Sequence, residues 1–259
     1  MASGTKRLSI GFLVAVGLVV SVGLTATPGT HAAQAAQASV GLGNAGTFAV
    51  LANTTVTNTG ATVVNGDIGV NAGSAVTGFP PGTVTNGTIH ITDTLSGLAQ
   101  QDLVTAYNDA AGRTPTSTGL TALDGKTLVA GVYSGGALSL GGTLTLSGSA
   151  TDVFIFQATS TLIAGSTSHV LFTGGAGACN VFWQVASSAT LQTGANFSGT
   201  IMAMDSVTAA TGATITGRLL ARTGGVTMDT NTITRPANCA TASVGTPATP
   251  VPGRARFTG

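Results

Sequence analysis

Charge is scarce in this sequence. Only 7% of its 259 residues are charged, glutamate is absent, and nine Lys and Arg residues are nearly balanced by eight Asp residues. Proteins that bind nucleic acids electrostatically need clusters of basic residues to replace the counterions around phosphate. The sequence supplies too few of them, so we expect no nucleic-acid partner.

Cysteine and histidine are also rare, with two and three residues. A structural zinc site takes about four such ligands, and these few residues are scattered along the chain. We therefore predict no metal site and no cofactor. In an oxidising compartment the even cysteine count favours one disulfide between Cys179 and Cys239, with two buried free thiols as the alternative.

The low charge does not indicate disorder. Hydrophobic residues make up 43% of the chain and the mean hydropathy is +0.43, so burial can offset the loss of chain entropy. Aromatic residues are only 5%, whereas Thr, Gly, Ala, Ser and Val dominate. That composition favours strands and turns over helix bundles. We expect one folded, mostly β domain.

The first residues have the order of a secretory signal peptide. Lys6 and Arg7 precede an apolar run over residues 8–20, and a small-residue cleavage triplet closes the segment at residues 36–38. An uncleaved membrane anchor is the alternative. No later apolar stretch is long enough to span a bilayer, so the processed protein is expected to have no membrane span.

These signals divide the chain into three parts. We predict a signal peptide over residues 1–38, a folded domain over 39–236 and a Pro- and Thr-containing tail over 237–259. The product is expected outside the cell, with association with the cell surface left open.

Three C-terminal segments match one another in length and pattern. They cover residues 181–199, 200–217 and 218–234, and repeat with a period of about 18 residues. Each contains an apolar strand, a turn, a Thr-bearing strand, a Gly- or Asn-containing corner and a short third strand. A repeat that cannot bury its own apolar face must stack on its neighbours. The pattern predicts a β-solenoid with three strands per coil.

One segment departs from the strand pattern and predicts an amphipathic helix over about 93–111. Asp93 or Thr94 can cap its start and Gly112 can follow its end. Apolar residues recur at intervals of three and four: Leu95, Leu98, Ala99, Leu103, Ala106, Tyr107 and Ala110. The helix should cover the first strand of each coil, where outward positions such as Phe182, Met202 and Leu220 are apolar.

Seven ordered sequence blocks together resemble the DUF3494 ice-binding protein family. They are LGNAGTFAVL at 42–51, GDIGV at 66–70, AYNDAAGR at 106–113, GVY at 131–133, VFIFQ at 153–157, NVFWQV at 180–185 and GRLLA at 217–221. The resemblance covers about residues 40–236. It implies a discontinuous right-handed three-faced β-solenoid with one long helix packed alongside and N-terminal strands completing the stack. It also implies an ice-binding surface on one flat face.

The second strand of each coil supplies the candidate ice-binding residues. Side chains alternate inward and outward along a strand, and Leu191, Val207, Ala209, Val226 and Met228 are taken as inward. The outward column is then Thr190, Thr208 and Thr227, followed by Gln192, Ala210 and Asp229, and at the corner by Thr193, Thr211 and Thr230. The family's Thr-Ala/Gly-x-Thr/Asn motif is met by residues 208–211. The two neighbouring copies keep both threonines and depart at the second residue.

Another set of polar residues on the third strand is a rival face. It comprises Asn196, Ser198, Thr214, Thr216, Thr232 and Thr234. Threonine is also a good strand former, and threonine ladders stabilise neighbouring strands whether or not they bind a ligand. The pattern by itself leaves these alternatives open.

No group of residues indicates catalysis, so we predict that the protein is not an enzyme. His90 and His169 have no Ser-His-Asp arrangement near them in the sequence, and we expect both to be structural or solvated. Asp67 is interpreted as a turn residue and Trp183 as part of the core.

Two functions remain. The first is a secreted, monomeric ice-binding protein that adsorbs to the ice crystal surface and inhibits ice growth and recrystallisation. The second is an adhesion or matrix module of the cell envelope, with the same fold, that binds cell wall or extracellular polysaccharide.

Overall fold

The computed structural model describes Met1, residues 37–237 and Cys239. Nearly all of the predicted signal peptide and of the predicted tail lies outside these residues. The chain divides into two units, Met1–Ala35 and Ala36–Gly259, and every element given below belongs to the second.

Strands dominate this unit. Before the helix α1 (Thr94–Gly112) come β1 (Phe48–Ala52), β2 (Thr55–Thr59), β3 (Val63–Asn65), β4 (Asp67–Val70), β5 (Ala75–Thr77), β6 (Thr83–Thr85) and β7 (Ile89–Ile91). After it come β8 (Ser117–Ala122), β9 (Thr127–Leu128), β10 (Gly131–Leu140), β11 (Thr143–Ser147), β12 (Phe154–Ala158), β13 (Leu162–Ala164), β14 (His169–Thr173), β15 (Val181–Val185), β16 (Ala189–Leu191), β17 (Asn196–Ala203), β18 (Val207–Ala209), β19 (Thr214–Ala221), β20 (Val226–Asp229) and β21 (Thr232–Thr234). Short 3-10 helices span Gly43–Thr47 and Ala178–Asn180.

All strand pairings between coils are parallel and form three faces. The helix face stacks β8, β10, β12, β15, β17, β19, β1, β4 and β7. The ladder face stacks the end of β10 with β13, β16, β18, β20, β2 and β5. The third face contains β9, β11, β14, the starts of β17 and β19, and β21, β3 and β6. The predicted three-faced solenoid is confirmed.

The stack is discontinuous in sequence. The last C-terminal coil is followed by the N-terminal strands, because β19, β20 and β21 pair with β1, β2 and β3. β4, β5 and β6 then add the next layer. Two chain segments distant in sequence therefore share each face.

Inside the solenoid, equivalent side chains stack on one another. Tyr133, Phe156 and Trp183 occupy the same register, with ring centroids 5.6 and 4.0 Å apart. Trp183 is fully buried, as predicted, and its indole N–H donates to the Ser198 carbonyl at 3.0 Å. Such stacks gain dispersion and aromatic contact energy at every coil, which stabilises the register.

The helix begins and ends through different interactions. Asp93 is its N-cap: its carboxylate accepts from the Ser96 amide, and the Ser96 hydroxyl accepts from the Asp93 amide. The expectation that Gly112 follows the helix is wrong, because Gly112 is its last residue and Arg113 the C-cap. Gln157 instead satisfies the free carbonyls there, donating to those of Ala110 and Arg113 at 2.8 and 2.7 Å.

The apolar stripe of the helix packs on the helix face. Leu103, Ala106 and Ala110 join a buried cluster that includes Phe182 and Leu220. The outward apolar positions predicted on the first strand of each coil, Phe182, Met202 and Leu220, are therefore buried beneath the helix. Leu98, which was expected in the stripe, remains 43% exposed because it lies at the margin of the contact.

The predicted disulfide between Cys179 and Cys239 is present and joins residues 60 apart in sequence. It ties the segment after β21 to the 3-10 helix before β15. Among the described residues, no helix is long and apolar enough to cross a membrane.

Candidate functional site

A continuous column of threonines runs along the ladder face. Thr190 pairs in register with Thr208 and Thr208 with Thr227, as the sequence predicts. The column then continues into the N-terminal strands, where Thr227 is adjacent to Thr57 and Thr57 to Thr77. Five consecutive strands thus present one threonine each, and this set, Thr190, Thr208, Thr227, Thr57 and Thr77, is called the threonine column below.

The backbone holds the column rigidly. On β16, β18 and β20 the residues on either side of the threonine point inward and are at most 1% exposed: Ala189, Leu191, Val207, Ala209, Val226 and Met228. On β2 the neighbours Val56 and Asn58 are also buried, whereas Val76, beside Thr77 on β5, is half-buried. Parallel pairing between neighbouring strands sets the spacing between threonines at about 4.8 Å. β16, β18, β20 and β2 are paired on both sides, whereas β5 is paired with β2 alone among the described strands. The result is a regular row of hydroxyl and methyl groups on a flat surface.

The corner next to the column differs from the sequence prediction. Thr193 and Thr211 were expected to align with Thr230. In the structure the residue after Thr193, Gly194, donates its amide to the Thr211 carbonyl. In the same way Gly212, the residue after Thr211, donates its amide to the Asp229 carbonyl. Asp229 therefore follows Thr193 and Thr211 in register, and it pairs with Thr59 of the next strand. The corner row is Thr193, Thr211, Asp229 and Thr59.

A one-residue difference between coils explains this shift. Gly194 and Gly212 turn the corner with φ of 71° and 73°, and Thr230 occupies the equivalent position with φ of 52°. In the coil whose corner lies at Thr230, the ladder-face segment has no residue equivalent to the outward Ala210. The expected alignment of Asp229 with Gln192 and Ala210 is therefore wrong, because the coils of Gln192 and Ala210 each have one more outward residue before the corner.

Asp229 is tied to the hydroxyls around it. Its two carboxylate oxygens accept hydrogen bonds from Thr211 at 2.5 Å and from Thr230 at 2.9 Å. Donation by Thr211, followed by that of Thr230, holds the pKa of the Asp229 carboxyl below its usual value, with a smaller contribution from Thr59. The side chain is therefore an anion at neutral pH within a row of threonines.

Towards the other end of the ladder face the column changes character. Thr190 is followed by Ile163, which is 42% exposed, and then by Ser139. Gln192 lies exposed at the corner of its coil, beside Gly165 of the neighbouring coil. The threonine column thus occupies only the end of the face that includes the N-terminal strands β2 and β5.

The rival set lies on the third face, in two shorter columns. Asn196, Thr214 and Thr232 are in register, but Val63 separates them from Thr83. The second column has Ser198, Thr216 and Thr234, then Asn65 and Thr85. Ser198 is only 7% exposed. Neither column contains more than two adjacent threonines.

A protein-family model described as Ice-binding-like matches residues 50–234, which include both candidate faces. The chain belongs to the ice-binding-like family.

Relatives in this ice-binding-like family match most of the chain. An ice-binding protein of Nostoc sp. (strain HG1) is 47% identical over 207 residues, covering 78% of this chain and 76% of that protein. The crystal structure of an ice-binding protein from an Antarctic biological consortium is 43% identical, with a TM-score of 0.75 over 78% of this chain and 93% of that one. The structure of an ice-binding protein from the Antarctic ascomycete Antarctomyces psychrotrophicus is 42% identical, with a TM-score of 0.74 over 77% and 99%.

One arrangement in this ice-binding-like chain was not found in the sequence. Nε2 of His90 lies 2.8 Å from the Thr88 hydroxyl, and Nδ1 lies 2.7 Å from the Asp93 carboxylate. The hydroxyl belongs to a threonine rather than a serine, and the contacts agree with the expected structural role of His90. The same carboxylate caps the helix, so the arrangement links β7 to the helix start. Thr88 lies two residues before His90 and Asp93 three residues after it, and this spacing is the sequence signal that could have revealed the arrangement.

Proposed function

We propose that the protein is a secreted ice-binding protein that adsorbs to ice through the ladder face and so inhibits ice growth and recrystallisation. The observation that carries this proposal is the threonine column, which continues in register over five strands drawn from both ends of the domain. The family relationship supports the same function.

The physical basis is repetition. Ice offers neither charge nor a pocket, so its recognition depends on many weak contacts that act together on a rigid surface. The threonine column repeats at about 4.8 Å along the stack, and alternate residues along a strand repeat at about 6.7 Å. Because the inward neighbours are buried, the hydroxyls and methyls are positioned before binding and lose little entropy on adsorption.

The ladder face is favoured over the third face by continuity. Its threonine column has five adjacent members, whereas Val63 and Asn65 interrupt the third-face columns after two adjacent threonines. A longer uninterrupted array allows more simultaneous contacts, and multivalent affinity rises steeply with their number.

The test is ice recrystallisation inhibition by the purified protein beside two tyrosine variants. Thr208→Tyr places a bulky ring in the middle of the threonine column and is expected to abolish inhibition. Thr216→Tyr places the same ring on an exposed position of the third face and is expected to keep it. Circular dichroism and the Tm of each variant verify folding. Loss of activity in Thr216→Tyr with retention in Thr208→Tyr would transfer the site to the third face.

The location and processing belong to the same proposal. Removal of residues 1–38 would release the domain outside the cell as a monomer, where it can meet ice, and the N-terminal mass of the protein recovered from culture medium tests this. A folded wild-type protein without any ice activity would contradict the proposal. That result would favour the adhesion or matrix role, which binding to isolated cell walls or polysaccharide then measures.

A further inference from the structure

Among the candidate ice-binding side chains on the ladder face, one carries a charge. The threonine column, Gln192, Ala210 and the corner threonines are neutral, and Asp229 is the single ion among them. It lies in the corner row beside the threonine column, in register between Thr211 and Thr59 and two residues along β20 from Thr227 of the column.

Asp229 affects binding to ice in two ways. An ionised carboxylate is strongly hydrated, and an ice surface cannot rearrange its lattice to replace that hydration without cost. The hydrogen bonds from Thr211 and Thr230 also direct both hydroxyl protons towards the carboxylate and away from any ligand on the face. The corner row is consequently less complementary to ice than the threonine column beside it.

We propose that Asp229 limits the affinity of the ladder face for ice, so that the protein is a weaker ice binder than its fold and threonine array allow. This inference rests on the proposed function. It predicts a gain of activity by a single substitution, an outcome that a merely structural role of Asp229 would not produce.

Asp229→Thr is the most direct variant. The residues in register on both sides, Thr211 in the turn after β18 and Thr59 at the end of β2, are threonines, and the backbone at Asp229 is not in the left-handed region. Threonine can therefore replace it without backbone strain. Asp229→Asn is a second variant that removes the charge while preserving the shape and one acceptor oxygen.

Asp205 provides a matched control. Its side chain, like that of Asp229, accepts hydrogen bonds from two hydroxyls, those of Ser187 at 3.1 Å and Thr223 at 3.3 Å. Asp205 is exposed and Asp229 is half-buried. It lies at the turn between β17 and β18, before the ladder face begins. Asp205→Asn changes the net charge as Asp229→Asn does, but off the proposed ice-binding surface.

The experiment measures the lowest protein concentration that inhibits ice recrystallisation for wild type, Asp229→Thr, Asp229→Asn, Asp205→Asn and Thr208→Tyr. We expect Asp229→Thr to lower this concentration by about three- to tenfold, a change typical of a small gain in binding free energy. Asp229→Asn should give a smaller decrease, and Asp205→Asn none.

The outcomes separate this inference from the proposed function. Unchanged or weakened inhibition by folded Asp229→Thr, with wild type active and Thr208→Tyr inactive, overturns the role of Asp229 and leaves the ladder face as the ice-binding surface. An equal gain in Asp205→Asn also overturns it, since the effect would then come from net charge. Inactivity of both wild type and Asp229→Thr overturns the proposed function and this inference together.

Discussion

The helix face and the ladder face are both built from parallel strands of the same coils, yet one is interior and the other is surface. On the helix face the outward side chains include Phe182, Met202 and Leu220, all at most 1% exposed beneath α1. On the ladder face the outward column from Thr190 to Thr77 consists of threonines that are half-exposed or exposed. The outward column, rather than the strand backbone, therefore decides whether a solenoid face is covered or remains free to bind.

The largest difference between the faces should appear in stability. Leu220→Ala removes buried side-chain atoms from beneath the helix and is expected to lower the free energy of unfolding by about 2–5 kcal/mol. Thr208→Ala, on the open face, should change it by only about 0.5 kcal/mol or less. Urea denaturation with the disulfide intact measures both. Equal losses in the two variants would contradict the distinction between a covered and an open face.

A smaller effect should come from the helix cap, which only the helix face requires. The Ser96 amide, followed by His90, lowers the pKa of Asp93 from 3.8 to about 2. Because the folded pKa is depressed, the stabilisation is present above the unfolded value and is lost as pH falls through about 2. Asp93→Asn should therefore lower the Tm at neutral pH and flatten the decline of Tm between about pH 4 and pH 2.

Asp109→Asn is the matched control for that cap. Asp109 pairs with Arg113 on the exposed side of the same helix, at 2.7 Å, and exposed pairs of this kind contribute little. The Asp109→Asn variant should have a Tm close to that of wild type at neutral pH, and its Tm should fall at acid pH as steeply as that of wild type. A decline that is as steep in Asp93→Asn as in wild type would show that Asp93 is not the titrating cap.

The fold could be predicted from repeats and periodicity. The 18-residue offset between paired strands, the helix over nearly the expected residues and the apolar column under it all follow from sequence patterns, because local alternation and stacking dictate them. The disulfide could be predicted from the cysteine count alone.

The details of the candidate site could not be predicted in the same way. The resemblance implies that N-terminal strands complete the stack, but the sequence does not give the register of that pairing. Thr57 and Thr77 join the threonine column through this register, because β2 pairs with β20 and β5 with β2. The position of Asp229 depends on a corner that is one residue shorter, where Thr230 adopts the conformation of a glycine. A repeat alignment that assumes equal coils cannot detect that shift.

We propose that one continuous face, assembled from strands at both ends of the domain, binds ice. The most direct test is the adsorption of fluorescently tagged protein to a growing ice surface, comparing wild type with Thr57→Tyr and Thr83→Tyr. Both variants alter an exposed threonine of an N-terminal strand, on the ladder face and the third face respectively. We expect Thr57→Tyr to reduce adsorption to background and Thr83→Tyr to adsorb like wild type. Wild-type adsorption by a folded Thr57→Tyr variant would contradict the claim.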